Sequence, residues 1–326
     1  MQLEVHRPTV TDLDQRPDQQ VFEFERNKIV IPEVEKMLIS AHTLKLHGED
    51  NIALNLLRKI LNLDSWNFSA LQMSAEILEK KKNYKEALVV RKAAAQVKAD
   101  VHCFLALADL YYHLEMLDEA LQMYFECLAL IRTECLELFN IYKSIGNIYV
   151  QQKDFDGAFE QYNKAYGLNP LSDVLIVNLG TLEIQRDNWD SALECFRKAI
   201  SLNVKNDKAW LGLALAHDHR GDFELSWANI IQALDINPYN RTALRVLLQW
   251  KTKYKKSDSV FEYLVEYLTI DFQDEEFGLV LVDVLCQMNL FEWAVMECQK
   301  IIDLNPYNAK FFDLKKIIIN LKDKKN

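Results

Sequence analysis

Apolar residues recur along this chain at helical spacing, three and four apart, over most of its length. Alternation of apolar and polar positions, the mark of a half-buried strand, is confined to one short stretch near the start. Polar clusters interrupt the apolar runs: HGEDN, KKKNY, QQKDF, QRDNW and HRGDF. Each cluster separates two segments of roughly 12 to 15 residues, which predicts antiparallel helix pairs joined by tight turns.

The pairs repeat. Asn169-Pro170, Asn237-Pro238 and Asn305-Pro306 stand 68 residues apart, twice 34, and the last two belong to the same tetrapeptide, NPYN. A 34-residue ruler then brings out columns of small residues. One runs Ala53, Ala87, Ala120, Ala158, Ala192, Ser226, Val260, Ala294, and a second Ala41, Ala75, Ala108, Gly146, Gly180, Ala214, Leu248, Val282. A third runs Ile60, Ala94, Cys127, Ala165, Ala199, Ala233, Tyr267, Ile301. Small residues at a fixed period mark where two helix backbones approach closely. Large residues such as Tyr142, Trp210, Tyr162 and Phe196 flank these columns and fill the grooves around them.

The unit FNIYKSIGNIYVQQKDFDGAFEQYNKAYGLNPLS, with Tyr142, Gly146, Tyr149, Ala158, Tyr162, Ala165 and Pro170, resembles the tetratricopeptide repeat (TPR) family. The resemblance implies an all-α, right-handed α-solenoid of about eight TPR hairpins. The units fall at 34-67, 68-100, 101-138, 139-172, 173-206, 207-240, 241-274 and 275-308. Four extra residues, Cys135 to Leu138, predict a longer second helix or a longer loop at the end of the third unit. The seventh unit carries Leu248, Val260 and Tyr267 at small-residue positions, which marks it as a candidate hinge or distorted step.

Both ends depart from the period. Residues 309-326 are expected to form a C-terminal capping helix, with Phe311, Phe312, Leu314, Ile317, Ile318 and Leu321 on one face and lysines on the other. Residues 1-33 form an N-terminal extended segment. VFEFERNKIVIP within it reads as strand, with a possible short β-hairpin about Arg26-Asn27. A lone hairpin is marginal in water, so this segment would pack on the first repeat, lie in the protein's own groove, or recruit a partner.

Composition narrows the function. With 38 basic and 48 acidic residues the net charge is −10, which argues against a nucleic-acid surface and against binding led by anionic lipid. No basic start followed by an apolar run is visible, and no uncharged stretch approaches the ~20 residues of a membrane helix. The six cysteines form no CxxC pair and sit in apolar helical patterns, as reduced thiols of a cytoplasmic protein would.

Catalytic chemistry is hard to find. His217-Asp218-His219 places its two histidines on different helix faces, and no second ligand cluster accompanies them, so a solvated helix end is expected. His42 and His47 lack a partner at ligand spacing, and no phosphate-binding or nucleophile motif is present. Neither a cofactor nor a metal is expected, and the chain reads as a non-enzyme.

The resemblance implies a concave surface lined by the first helix of every unit, where TPR ligands lie. Lys143, Asn147, Asn178 and Lys208 resemble, position for position, the two-carboxylate clamp with which co-chaperone TPR domains hold acidic C-terminal peptides. Ammonium groups and amides would converge there on carboxylates as charge-assisted donors. Gly212 stands where the clamp has Arg, which puts a true clamp in doubt. Arg245 would extend the basic side, and Val174, Val177, Leu211 and Leu215 add an apolar lining.

The expected function is a protein-binding scaffold or adaptor that holds an extended or amphipathic segment of a partner. A chaperone or assembly factor for a secretion, pilus or motility apparatus, and an accessory subunit of an enzyme complex, are the alternatives.

Overall fold

The structure, a computed structural model, describes residues 17–132, 136–254 and 260–325. Every element in them is helical. The chain divides into two compact units, Met1–Ile141 and Tyr142–Asn326.

In the first unit, α1 (Pro17–Leu46) pairs with α2 (Asp50–Leu63), α3 (Phe68–Lys80) with α4 (Tyr84–Val97), and α5 (Val101–His113) with α6 (Leu117–Leu130). Val34, Ala41, Leu57, Ile60 and Ile77 are buried in one apolar cluster between these pairs. The expected strand over residues 21–32 is instead part of α1, which runs unbroken through Pro32. The reason is nucleation. Val34, Met37, Leu38 and Ala41 dock the later half of α1 on α2 and α3. Once that docked turn exists, adding residues to its N-terminal end needs no new nucleus. Residues 1–16, the rest of the N-terminal segment expected to be extended, lie outside the described residues.

The second unit begins within α7 (Leu136–Gln151) and continues through α8 (Phe155–Leu168), α9 (Asp173–Gln185) and α10 (Trp189–Leu202). There follow α11 (Asp207–Arg220), α12 (Phe223–Ile236), α13 (Arg241–Tyr254), α14 (Val260–Ile270), α15 (Glu275–Gln287), α16 (Phe291–Leu304) and α17 (Ala309–Lys325). The four-residue insertion lengthens the helix that follows it. α6 keeps 14 residues, like its counterparts, whereas α7 has 16.

The small-residue columns lie at the crossings. Ala53, Ala75, Ala87, Ala108, Ala120, Ala192 and Ala294 are fully buried. A Cβ on Gly146 would stand 2.4 Å from the Tyr162 ring, so only glycine lets α7 approach α8 as it does. Ser226 replaces alanine and donates its hydroxyl to the Ala214 carbonyl at 3.1 Å, tying α12 to α11 at the crossing. In the seventh pair the large residues are accommodated: Val260 and Tyr267 are buried, and Leu248 is half-buried. The Tyr267 ring meets Phe277 edge-on at 5.0 Å.

Helix ends follow the local chemistry. Asn67, Asp100, Asp154, Ser172, Asn206 and Asp274 cap α3, α5, α8, α9, α11 and α15 through side-chain oxygens that accept a backbone N–H. In seven of the pairs the inner turn is closed by a residue in the left-handed region: Gly48, Lys82, Glu115, Lys153, Asp187, Gly221 and Asn289; the α13–α14 turn lies outside the described residues.

α17 packs on α16 with Phe311 and Ile318 buried and Leu314 half-buried. Phe312, Ile317 and Leu321, expected on the same face, are exposed. A helix face about two residues wide cannot present all six positions to one neighbour.

Candidate functional site

Within each unit the first helices of neighbouring pairs stand side by side, and the offset between facing residues is regular. Lys45 pairs with Glu76, Asn147 with Asn178, and Arg245 with Glu276, each 31 residues apart. A 34-residue period with a stagger of about one helical turn produces this offset. It brings the expected site together at one point and dismantles it at another.

The point of convergence is α7 with α9. Asn178 Nδ2 donates to Asn147 Oδ1 at 3.0 Å, and the Tyr162 hydroxyl of α8 donates to the same oxygen at 2.7 Å. Both amides are half-buried. With the Asn147 oxygen occupied, the pair offers Asn147 Nδ2 as donor and Asn178 Oδ1 as acceptor, the same two groups a peptide unit carries. Lys143 lies one turn before Asn147 on α7 and is half-buried, while Lys208 at the start of α11 is exposed. Val174, 51% exposed, stands one turn before Asn178 on α9.

Three expected lining residues behave otherwise. Val177 and Leu211 are buried in the core, so they support the surface rather than form it. Leu215 is half-buried against the apolar cluster of the later helices. Arg245 does not extend the basic side, because Glu276 neutralises it at 2.7 Å. The Arg245 guanidinium holds the Glu276 carboxyl below the usual carboxylate range. Arg241 reaches the same carboxylate at 2.7 Å and also binds Asp274 at 2.8 Å. Burial raises the Tyr267 hydroxyl to about 12, helped by the hydrogen bond it gives Asp274. Glu276 was missed in the sequence, although its 31-residue distance from Arg245 was a usable signal.

His217, Asp218 and His219 turn to three separate partners. His217 is buried, with Nδ1 3.2 Å from Asp222, so it is not solvated as expected. Asp218 pairs with Lys253, and His219 stacks on Trp189 with ring centroids 3.8 Å apart. No group of three potential metal ligands occurs among the described residues. Nor, among them, is any helix long and apolar enough to cross a membrane. The thiols are quiet as well: burial raises Cys127 to about 12 and Cys103 to about 11, and Cys135 lies outside the described residues.

Two tetratricopeptide repeat family models match the chain, over residues 100–170 and 177–240. Among solved structures it is similar to a tetratricopeptide repeat protein from Parabacteroides merdae, with TM-score 0.56 and 16% identity over 88% of this chain and 98% of that one. PilF of Pseudomonas aeruginosa is similar with TM-score 0.52 and 15% identity, covering 68% of this chain and 99% of that one. A chain of the APC/C hetero-tetramer Cut9–Hcn1 follows with TM-score 0.51 and 16% identity, covering 86% and 55%. No curated protein matches the sequence. At these identities the likenesses concern the fold.

Proposed function

Because this chain is a tetratricopeptide repeat protein, we propose that it is a non-catalytic scaffold whose α7–α9–α11 face holds an extended, acidic segment of a partner protein. The observation that carries the reading is the Asn147–Asn178 hydrogen bond. It fixes two amides from the first helices of neighbouring pairs, with Lys143 on α7 and Lys208 on α11. A partner's backbone can hydrogen-bond to the amide pair while its carboxylates take charge-assisted bonds from the two ammonium groups. Val174 offers the apolar contact beside them.

The site differs from a full carboxylate clamp at Gly212, so acidic side chains along the segment matter as much as a terminal carboxylate. The test uses fluorescent acidic peptides in free-acid and C-terminally amidated forms, titrated against the full chain. Lys143→Ala with Lys208→Ala is expected to weaken binding about tenfold or more at unchanged helicity, since each charge-assisted bond contributes roughly 1.5–3 kcal/mol. Binding that is indifferent to both lysines and to Asn178→Ala would remove this face from consideration.

A further inference from the structure

The second unit carries an apolar ridge that the fold does not need. Its five inter-pair turns lie at residues 169–172, 203–206, 237–240, 271–274 and 305–308. Each presents one large exposed apolar side chain: Leu171 (70% exposed), Val204 (62%), Tyr239 (53%), Phe272 (61%) and Tyr307 (97%).

The first four turns are neighbours along one edge, and hydrogen bonds link them in order. Asn203 and Asn206 of the second turn both donate to Asp173 beside the first, at 2.7 and 2.8 Å. Asn237 and Asn240 of the third donate to Asp207 beside the second, both at 2.8 Å. Arg241 beside the third turn reaches Asp274 of the fourth at 2.8 Å.

These polar groups also set the turn geometry without help from the ridge. Asn237 accepts the Tyr239 N–H at 3.1 Å, and Asn240 caps α13 by accepting the Ala243 N–H at 2.9 Å. The residue between them is free to be polar. Isolated exposed apolar residues are ordinary, but one in each of five successive turns, the first four of them linked, makes an apolar row along the edge.

We propose that this ridge is an isologous docking surface for a second copy of the chain, related by a two-fold axis beside Tyr239. Spacing is the first argument. A row of contacts at the pitch of the repeats is matched along its length by a surface of the same pitch, which another copy has in antiparallel order. Leu171 then faces Tyr307, Val204 faces Phe272, and Tyr239 faces its own counterpart.

Charge is the second argument. In that order Lys205, exposed in the second turn, lies opposite Asp271 of the fourth, and the two-fold axis makes the pair twice. Area is the third. Five side chains exposing on the order of 100 Å² each provide about 500 Å² of apolar surface per copy. With the turn backbone and helix ends between them, the face approaches the ~800 Å² per partner of a stable interface.

The experiment is sedimentation equilibrium of the full chain over a wide micromolar range, with circular dichroism as the folding control. The wild type is expected to be a dimer. Tyr239→Glu is expected to weaken association by about tenfold or more, as hot-spot loss at an interface centre does. Leu225→Glu, an exposed apolar position on α12 away from the turns, is expected to leave the dimer intact. Lys205→Asp is expected to weaken the dimer, and adding Asp271→Lys to restore it. A monomer at every concentration overturns the proposal, as does a dimer indifferent to Tyr239→Glu. Failure of the charge swap to restore association overturns the antiparallel register.

Discussion

The ring of Phe196 occupies the space where a side chain at position 212 would begin. A Cβ built on Gly212 lies 2.3 Å from Phe196 Cε1 and 2.4 Å from Cζ, and Phe196 is fully buried. The ring has little room to retreat, because it is fully buried and also lies close against α9, where a Cβ on Gly180 would meet it at 2.8 Å. Gly212→Ala is therefore expected to destabilise the second unit by about 1–3 kcal/mol, the usual magnitude for overpacking a core. Gly212→Arg, which restores the residue found in the carboxylate clamp, is expected to lose stability without gaining peptide affinity. Urea unfolding and peptide titration of the two variants check this, and a stable, tighter-binding Gly212→Arg protein would refute it.

The Tyr162–Asn147 bond joins the scaffold to the proposed site. Tyr162→Phe removes the donor and is expected to cost about 1 kcal/mol. Part of that loss should vanish in an Asn147→Ala background, because the two groups share one bond. A double-mutant cycle by urea unfolding reads the coupling, and strictly additive costs would contradict the geometry.

Lys153 closes the α7–α8 turn at φ 63, a conformation that costs a residue with a Cβ about 1 kcal/mol or more relative to glycine. Lys153→Gly is expected to raise stability by roughly 0.5–1 kcal/mol, the gain being limited by glycine's larger unfolded-state entropy. Gly221→Ala, at φ 80 in the equivalent turn, should have the opposite sign. Thermal melts of both variants test the pair.

Acid should loosen the chain through a few carboxylates at helix N-termini. Lys98 is the main influence holding Asp100 down at about 2. Burial works to raise Asp173, but the Asn206 and Asn203 amides outweigh it and leave the group lowered. Burial likewise opposes, and Arg241 with the Phe277 N–H overcomes, to lower Asp274. These pKa values lie below those of the unfolded chain, near ~3.9. Their stabilisation is thus fully present above that pH and is lost as pH falls through the folded-state values. Urea midpoints are expected to hold level in this respect down to about pH 5 and to fall below about pH 4. Asp173→Asn should flatten part of that decline; an unchanged slope would exclude Asp173 as a contributor.

Cys103, Cys127 and Cys298 are buried, and burial raises each thiol. Thiol-directed labelling near neutral pH, read peptide by peptide in a mass spectrometer, is expected to modify these three only at the rate of unfolding. Prompt labelling of Cys127 in the folded chain would contradict its placement.

The 34-residue period, the helical class of the chain and the small residues at the crossings were all legible from spacing alone. Close approach of two backbones excludes large side chains wherever it occurs, so the constraint is written in residue size at fixed intervals. The polar runs likewise marked the turns, since left-handed closing residues and asparagine caps are local chemistry. Other features depend on which surface meets which. The helix over residues 17–33 contradicted a local strand pattern, because docking of the later half of α1 pays for nucleation. Val177 and Leu211 carried the expected pattern of lining residues, yet the stagger of α9 and α11 turned them into the core. Arg245 read as a free cation until the 31-residue offset set Glu276 against it. The period belongs to the order of residues, while the stagger between neighbouring helices is a property of their packing, and that stagger decides which charges meet.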